Sequence, residues 1–246
     1  GRIEVQNVTT QWGVFAIAGP KARAVLAEVI KDAEPETALS NKRFPWLSAK
    51  KIELGMCPVN AIRVAYTGEL GWELHHPIEM QNYLFDLLEK AGEKHGMKLV
   101  GARAQNWLRQ EKSYRAFGNE LGRDATPVEA DLPRFIDLNK EFHGKDEMVA
   151  KGVRSKCVTV LIDGPNDADP WGREALYDMD GNRIGRLTSG GYSVAFEKSI
   201  GMGYVKPSIA EVGAKVQVKM LDQMWPAEIV EDSPYDSKNA AIRVDG

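Results

Sequence analysis

Residues 62–77 read IRVAYTGELGWELHHP. Ile62 and Val64 alternate before a Gly68-Glu69-Leu70-Gly71 turn, and Trp72 and Leu74 alternate after it, the pattern of two short strands joined as a hairpin. Side chains alternate across a strand, so Trp72 and Leu74 share one face while Glu73 and His75 share the other. One face enters a core and the other presents a carboxylate. Glu73 has mostly apolar sequence neighbours, and a carboxylate in such surroundings needs a hydrogen-bond donor.

Outward from this hairpin, Gln11–Gly19 (QWGVFAIAG) reads as a strand, broken by Gly19-Pro20 ahead of the helical run PKARAVLAEVIK. Asp32–Ala49, polar with Pro35, Pro45, Phe44 and Trp46, reads as an ordered loop. On the other side, Met80, Leu84, Leu87, Leu88 and Ala91 repeat at helical spacing, and Gly92 and Gly96 punctuate the end before a short strand at Met97–Val100. Strand, helix, strand, strand, helix, strand is the ferredoxin-like, split βαβ plan.

Gly101–Tyr114 (GARAQNWLRQEKSY) reads as a further helix, with Ala104, Trp107 and Leu108 on overlapping faces and Arg109 one position off that stripe, within reach of a cleft. Thr126-Pro127-Val128-Glu129 has the form of a helix start. From Ser155 the texture changes to short β-like runs separated by Gly, Pro and Asp, which predicts a small antiparallel barrel or sandwich. The fold class expected is therefore α+β: a ferredoxin-like region at 1–152 and an antiparallel β-barrel domain at 153–246, with the boundary near Lys151–Lys156.

With 246 residues, 43% of them hydrophobic, the chain is long enough to bury a substantial core in two domains. Its net charge of −3 and the lack of a long basic run argue against nucleic acid as a partner. No apolar run approaches a membrane span, and the opening residues do not read as a signal peptide. The chain starts without an initiator Met, in an apparently structured segment, and reads as a piece of a longer polypeptide. Cys57 and Cys157 form no metal or disulfide spacing and are expected to be reduced thiols. Asp178-Met179-Asp180-Gly181-Asn182 lacks the offsets of a calcium loop and reads as a hairpin turn. Gly201-Met202-Gly203 lacks the third glycine of a dinucleotide fingerprint. His75 and His76 are adjacent on a strand and point to opposite faces, so they read as ordinary strand-end histidines and no metal site is expected. Taken as isolated residues, Tyr66 and Glu73 suit a structural role, Glu73 bridging to an arginine and Tyr66 packing edge-on.

The ordered set AIAGPKARAVL, RVAYTGELGWELHHP, LRQEKSYRAFGNEL, TPVEADL, FHGKDEM, GRLTSGGYS and SPYDS covers nearly the full chain. Together these segments resemble the aminomethyltransferase (glycine cleavage T-protein) family. SNKRFPWLS, GELGWELH and RFI are most similar to its version fused to flavin-dependent dimethylglycine and sarcosine dehydrogenases. The resemblance implies a tetrahydrofolate-binding, one-carbon transferase module. Glu73 matches the family's pterin-binding glutamate, Tyr66 a residue lining the folate pocket, and Arg109 an arginine near folate where a cation meets the glutamate tail; Arg103 is the weaker match for that role. Tyr235 and Asp236 lie in the closing segment and receive no chemistry. In the family a Gly-Gly-x-x-Asp-Asp segment supplies the catalytic aspartate; nothing before Gln11 matches it, so no catalytic residue is assigned here.

The implied reaction moves a one-carbon unit from an aminomethyl carrier or an oxidised methylamine to N5 and N10 of tetrahydrofolate. The implied partners are folate, a methylated amine or aminomethyl donor, and a flavin-dehydrogenase domain or N-terminal segment, with FAD confined to that fused or partner domain. Bacterial cytoplasm and the mitochondrial matrix both suit such a protein. The other reading is a non-catalytic, folate-binding or protein-interaction member of the same fold.

Overall fold

The apolar run WGVFAIA forms strand β1 (Trp12–Ala18) in a computed structural model that describes residues 2–165 and 167–245. Helices α1 (Ala22–Ala27) and α2 (Pro35–Ala38) follow, then strands β2 (Ala49–Leu54), β3 (Cys57–Ile62) and β4 (Gly71–Pro77) and helix α3 (Gln81–Glu93). The strands lie in the order β1-β4-β3-β2, and each neighbouring pair is antiparallel. Leu84, Leu88 and Ala91 form the buried stripe of α3, at the spacing that an amphipathic helix requires. They share a core with Leu26, Phe44, Leu54, Trp72 and Leu74.

The α+β class stands, but two local expectations do not. β3 ends at Ile62, and residues 63–70 form a loop in place of a tight turn. Arg63 stands at this exit: its buried side chain donates to the carbonyl of Phe44 at 2.6 Å, and its backbone stays bonded on the β2 side, N–H to Ser48 O and C=O from Leu47 N–H, while pairing with β4 stops. The cross-strand pairing survives, with Ile62 opposite Glu73 and Ala61 opposite Leu74. The tight hairpin of this sheet is instead β2–β3, turning at Gly55 with a φ of 56°. Met97–Val100 is not a strand. Met97 folds back over Gly92, where an added Cβ would lie 2.6 Å from Met97 Cβ, and Leu99 and Val100 are exposed. The sheet's fourth strand is β2, and the observed connection is wholly antiparallel.

Helix α4 (Ala102–Glu111), helix α5 (Lys145–Lys151) and strands β5 (Lys156–Ile162), β6 (Ala175–Tyr177), β7 (Arg183–Ser193), β8 (Lys198–Val205), β9 (Lys215–Met220) and β10 (Gln223–Val230) make up the rest. The six strands close into an antiparallel barrel in the order β10-β5-β8-β7-β6-β9, sealed by the β9–β10 pair. Its interior holds Val160, Ile162, Leu176, Leu187, Val218 and Ile229. Asp178–Asn182 is the β6–β7 turn: the Asp178 carboxylate accepts the N–H groups of Asp180 and Asn182, and Gly181 sits at φ 83°.

Thr126–Glu129 completes the reciprocal cap expected of a helix start, Thr126 N–H to Glu129 Oε2 at 2.8 Å and Glu129 N–H to Thr126 Oγ1 at 3.2 Å. Only one turn follows, because Asp131 turns left-handed at φ 60° and Leu132 N–H closes onto Pro127 O.

By compactness the chain divides into Gly1–Gly101 with Lys238–Gly246, and Ala102–Ser237. The second of these units takes in the whole stretch from Ala102 to the end of the barrel. The physical reason is α4, whose buried end hydrogen-bonds to β7: Gln110 Nε2 donates to Gly190 O at 3.1 Å, and the Ser193 hydroxyl donates to Glu111 Oε1 at 2.6 Å.

Candidate functional site

Period-two alternation along β4 buries Trp72, Leu74 and His76 and leaves Glu73 and His75 half-buried on the opposite face, as the sequence pattern requires. Their side chains are 41% and 31% exposed, and His75 Nε2 lies 3.2 Å from Glu73 Oε2. With an ionised carboxylate as acceptor, the imidazole N–H is the donor. On the same face the cross-strand neighbours of Glu73 are Ala16 of β1 and Ile62 of β3, and those of His75 are Val14 and Asn60. Val14, Ala16 and Ala18 are exposed. The face thus sets Glu73 and His75 beside apolar surface from β1 and Ile62, with Asn60 next to them and Lys51 and Glu53 of β2 further along the sheet. Asn60 is also a wall of a groove of about 690 Å³, lined in addition by Trp12, Lys51 and Pro77.

The opposite side of β4 is rigidly held. Trp72 is fully buried, with the Arg23 and Arg63 guanidiniums 5.9 and 5.6 Å from its ring centroid. Both arginines donate to backbone, Arg23 to Leu39 O and Val244 O, each at 2.9 Å, and Arg63 to Phe44 O and Ile242 O, while Arg63 Nε is buried without a partner among the described residues. Burial lowers both guanidinium pKa values; for Arg63 the neighbouring Arg23 charge adds to this, while Asp245 opposes it at both. His76, beside Glu73's partner in sequence, stacks on Phe15 at 4.8 Å and is no part of the outer face.

The loop at 63–70 carries Tyr66, 37% exposed. Two glycines shape it. Gly68 lies at φ 81°, and at Gly71 a Cβ would meet Ile17 O at 2.7 Å, so only glycine lets β1 close against the start of β4.

Tyr66 and Glu73 belong to the first unit and Arg109 to the second. Arg109 does not face a cleft in its unit. It is 1% exposed and donates to Glu120 Oε2 at 2.9 Å, Tyr114 O at 2.7 Å, Asn106 Oδ1 at 2.9 Å and the Ser189 hydroxyl. Glu120, also fully buried, takes Ser189 and Thr188 hydroxyls on its other oxygen at 2.6 and 2.7 Å. α4 therefore docks through its polar residues, Arg109, Gln110 and Glu111, and the stripe of Ala104, Trp107 and Leu108 is the less buried one. Glu120 escaped the sequence reading because nothing local marks it. His75 was visible on Glu73's face, and the spacing of two along a strand was the available signal for the pair. Among the described residues, no group of three or more His, Cys, Asp or Glu side chains converges as a metal ion would require, and no helix is long and apolar enough to cross a membrane.

An antiparallel α+β sheet unit and a closed six-stranded antiparallel barrel define the class of protein to which this chain conforms. The crystal structure of the glycine cleavage system aminomethyltransferase T from Bartonella henselae shares that fold, with a TM-score of 0.77 and 25% identity, over 92% of this chain and 60% of that one. Residues 2–140 match the GCVT N-terminal domain and residues 156–236 the glycine cleavage T-protein C-terminal barrel domain. The chain belongs to the glycine cleavage T-protein family. Mitochondrial dimethylglycine dehydrogenase of Homo sapiens is 39% identical over 237 residues, which are 94% of this chain and 26% of that protein. An aminomethyltransferase of Natranaerobius thermophilus is 31% identical over 95% of this chain and 63% of its own length. The chain thus spans about a quarter of the dehydrogenase and less than two thirds of the transferase.

Proposed function

We propose that the chain is the tetrahydrofolate-binding module of a one-carbon transferase. The observation that carries this reading is Glu73, an acid flanked across the sheet by Ala16 and Ile62, within the segment YTGELGWE of a T-protein-family chain. A pterin offers an amino group and a ring N–H side by side, and a carboxylate is the acceptor that matches both. Val14, Ala16 and Ile62 supply apolar surface for the flat ring beside it, and Tyr66 lies on the adjoining loop. Arg109 fits less directly: its guanidinium is turned to acceptors of its own unit, so we assign it to holding α4, and the glutamate tail would need another cation.

When bound, tetrahydrofolate supplies the nitrogens that accept the one-carbon unit. The residues of this chain bind and orient it, Glu73 by accepting hydrogen bonds and the sheet face by excluding water from one side of the ring. The donor belongs to the longer polypeptide: a methylated amine oxidised by a flavin domain, as the dehydrogenase relatives support, or an aminomethyl carrier, as the transferase relatives support. The mitochondrial designation of the former supports a matrix location over the cytoplasm. A second, binding-only reading is favoured by one feature: the sheet neighbours of Glu73 are Ala16 and Ile62, so no second carboxylate faces it there.

Anaerobic calorimetric titration of the chain with tetrahydrofolate tests the proposal. Micromolar binding is expected, weakened at least tenfold, about 1.4 kcal/mol, by Glu73→Gln without change in the thermal melt. Equal binding by the variant, or none by either protein, refutes it. Single-turnover formation of methylene-tetrahydrofolate by the binding-competent chain then separates transferase from binder.

A further inference from the structure

Glu73 is held on one oxygen only. His75 Nε2 sits 3.2 Å from Oε2, and among the described residues no donor is recorded on Oε1. The two residues stand two apart on β4, so the strand itself sets their spacing, at about 6.6 Å between Cα atoms. The elements beside them offer no competing charge at the same register: β1 gives Val14 and Ala16, and β3 gives Asn60 and Ile62. Lys51 and Glu53 of β2 are on the same face, paired with Asn60 and Pro58, and so stand a further strand away, while the loop at 63–70 contributes Tyr66 and Glu69, which have interactions of their own.

Resting on the reading of Glu73 as the ligand's acceptor, we propose that His75 is a positioning residue that fixes the Glu73 carboxylate and makes ligand affinity depend on pH. The imidazole N–H takes one lone pair of Oε2 and limits rotation of the carboxylate, leaving Oε1 and the second lone pair of Oε2 for the two adjacent donors of the ligand. A ligand that covers the pair takes a negative charge out of water, which is unfavourable unless the charge is compensated. Imidazolium compensates it; neutral imidazole supplies only the hydrogen bond. Histidine changes charge between about pH 5 and pH 8. Affinity therefore rises as pH falls through that range, until the carboxylate itself is protonated.

The test is calorimetric titration of the chain with tetrahydrofolate at pH 8, 7 and 6, for wild type, Glu73→Gln, His75→Gln and His75→Phe, with thermal melts of each. The wild type is expected to gain about fivefold in affinity from pH 8 to 6, a typical size for coupling between two groups. His75→Gln keeps a donor without a titrating charge, so it should bind near the wild-type pH 8 level with a flat profile. His75→Phe should be flat and weaker throughout. His75 variants that reproduce the wild-type profile, while Glu73→Gln has lost binding, overturn the role of His75 and leave Glu73 standing. Wild-type binding by Glu73→Gln, or none by the wild type, overturns the underlying reading and this one with it.

Discussion

Glu129 is a fully buried acid with an outward-facing partner. Burial raises its pKa, but the Arg154 guanidinium and the N–H groups of Thr126 and Arg154 outweigh that effect and bring it down to about 2. A carboxyl whose pKa is lowered by folding contributes stability above its unfolded value, near 4.5, and loses it as pH falls from there towards 2. Glu129→Gln should therefore flatten the stability–pH curve between those limits and, through the lost cap and ion pair, cost roughly 2–3 kcal/mol at pH 7 in urea denaturation. Cys157 is a second residue set by burial, its thiol pushed up to about 12, and Cys57 is raised by the same cause. Neither should react with a thiol reagent at pH 8 in the folded protein, and both should label in denaturant. At this scale the sequence was informative where geometry is local. Period two placed Glu73 opposite Trp72, and His75 came with it. It was uninformative for Arg109, two of whose acceptors lie 11 residues away at Glu120 and 80 away at Ser189.

Helix α4 shows what such distant partners do to an element. Its hydrophobic stripe suggested an ordinary amphipathic helix, yet its buried residues are Arg109, Gln110 and Glu111, because β7 offers Ser189, Gly190 O and Ser193 where a core would offer methyl groups. The helix also needs a smooth strand beneath it. A Cβ on Gly191 would fall 2.1 Å from Trp107 Cδ1, so Gly191→Ala should push the indole off β7 and destabilise the second unit by about 1–3 kcal/mol, read by tryptophan fluorescence in urea. Glu120→Gln attacks the same joint from the charge side. It leaves Arg109 buried beside a neutral amide and should cost about 3–5 kcal/mol in the same assay. The barrel strands were readable from composition and turn residues, since most are short and have Gly, Pro or Asp at or near at least one end. The β3–β4 connection differs from the expected hairpin because Gly68 and Gly71 resemble a tight turn, whereas the chain from Arg63 onward is anchored by distant partners, Phe44 and Ile242, that no local pattern shows.

For the whole molecule, the decisive fact is that Lys238–Gly246 belongs to the first unit. Asn41 Nδ2 donates to Arg243 O at 2.7 Å, Asn41 N–H reaches the Asp245 carboxylate, and the Arg243 guanidinium lies 4.6 Å from the Trp46 ring centroid. These contacts come with the Ile242 and Val244 carbonyls that serve Arg63 and Arg23. Deleting residues 238–246 should leave two buried guanidiniums short of acceptors and lower the stability of the first unit by roughly 2–5 kcal/mol, while the barrel's own transition in a two-probe denaturation stays in place.

This discontinuity also orders events in time. A ribosome delivers the chain in sequence order, so the sheet of β1–β4 is made early and waits for a segment made only after every strand of the barrel. Until then Trp72 is flanked by two guanidiniums lacking part of their acceptor set. A polypeptide ended just short of Lys238 and released from the ribosome should accordingly protect the barrel from protease while the earlier sheet is still cut, so the part of the protein synthesised first becomes the last to mature.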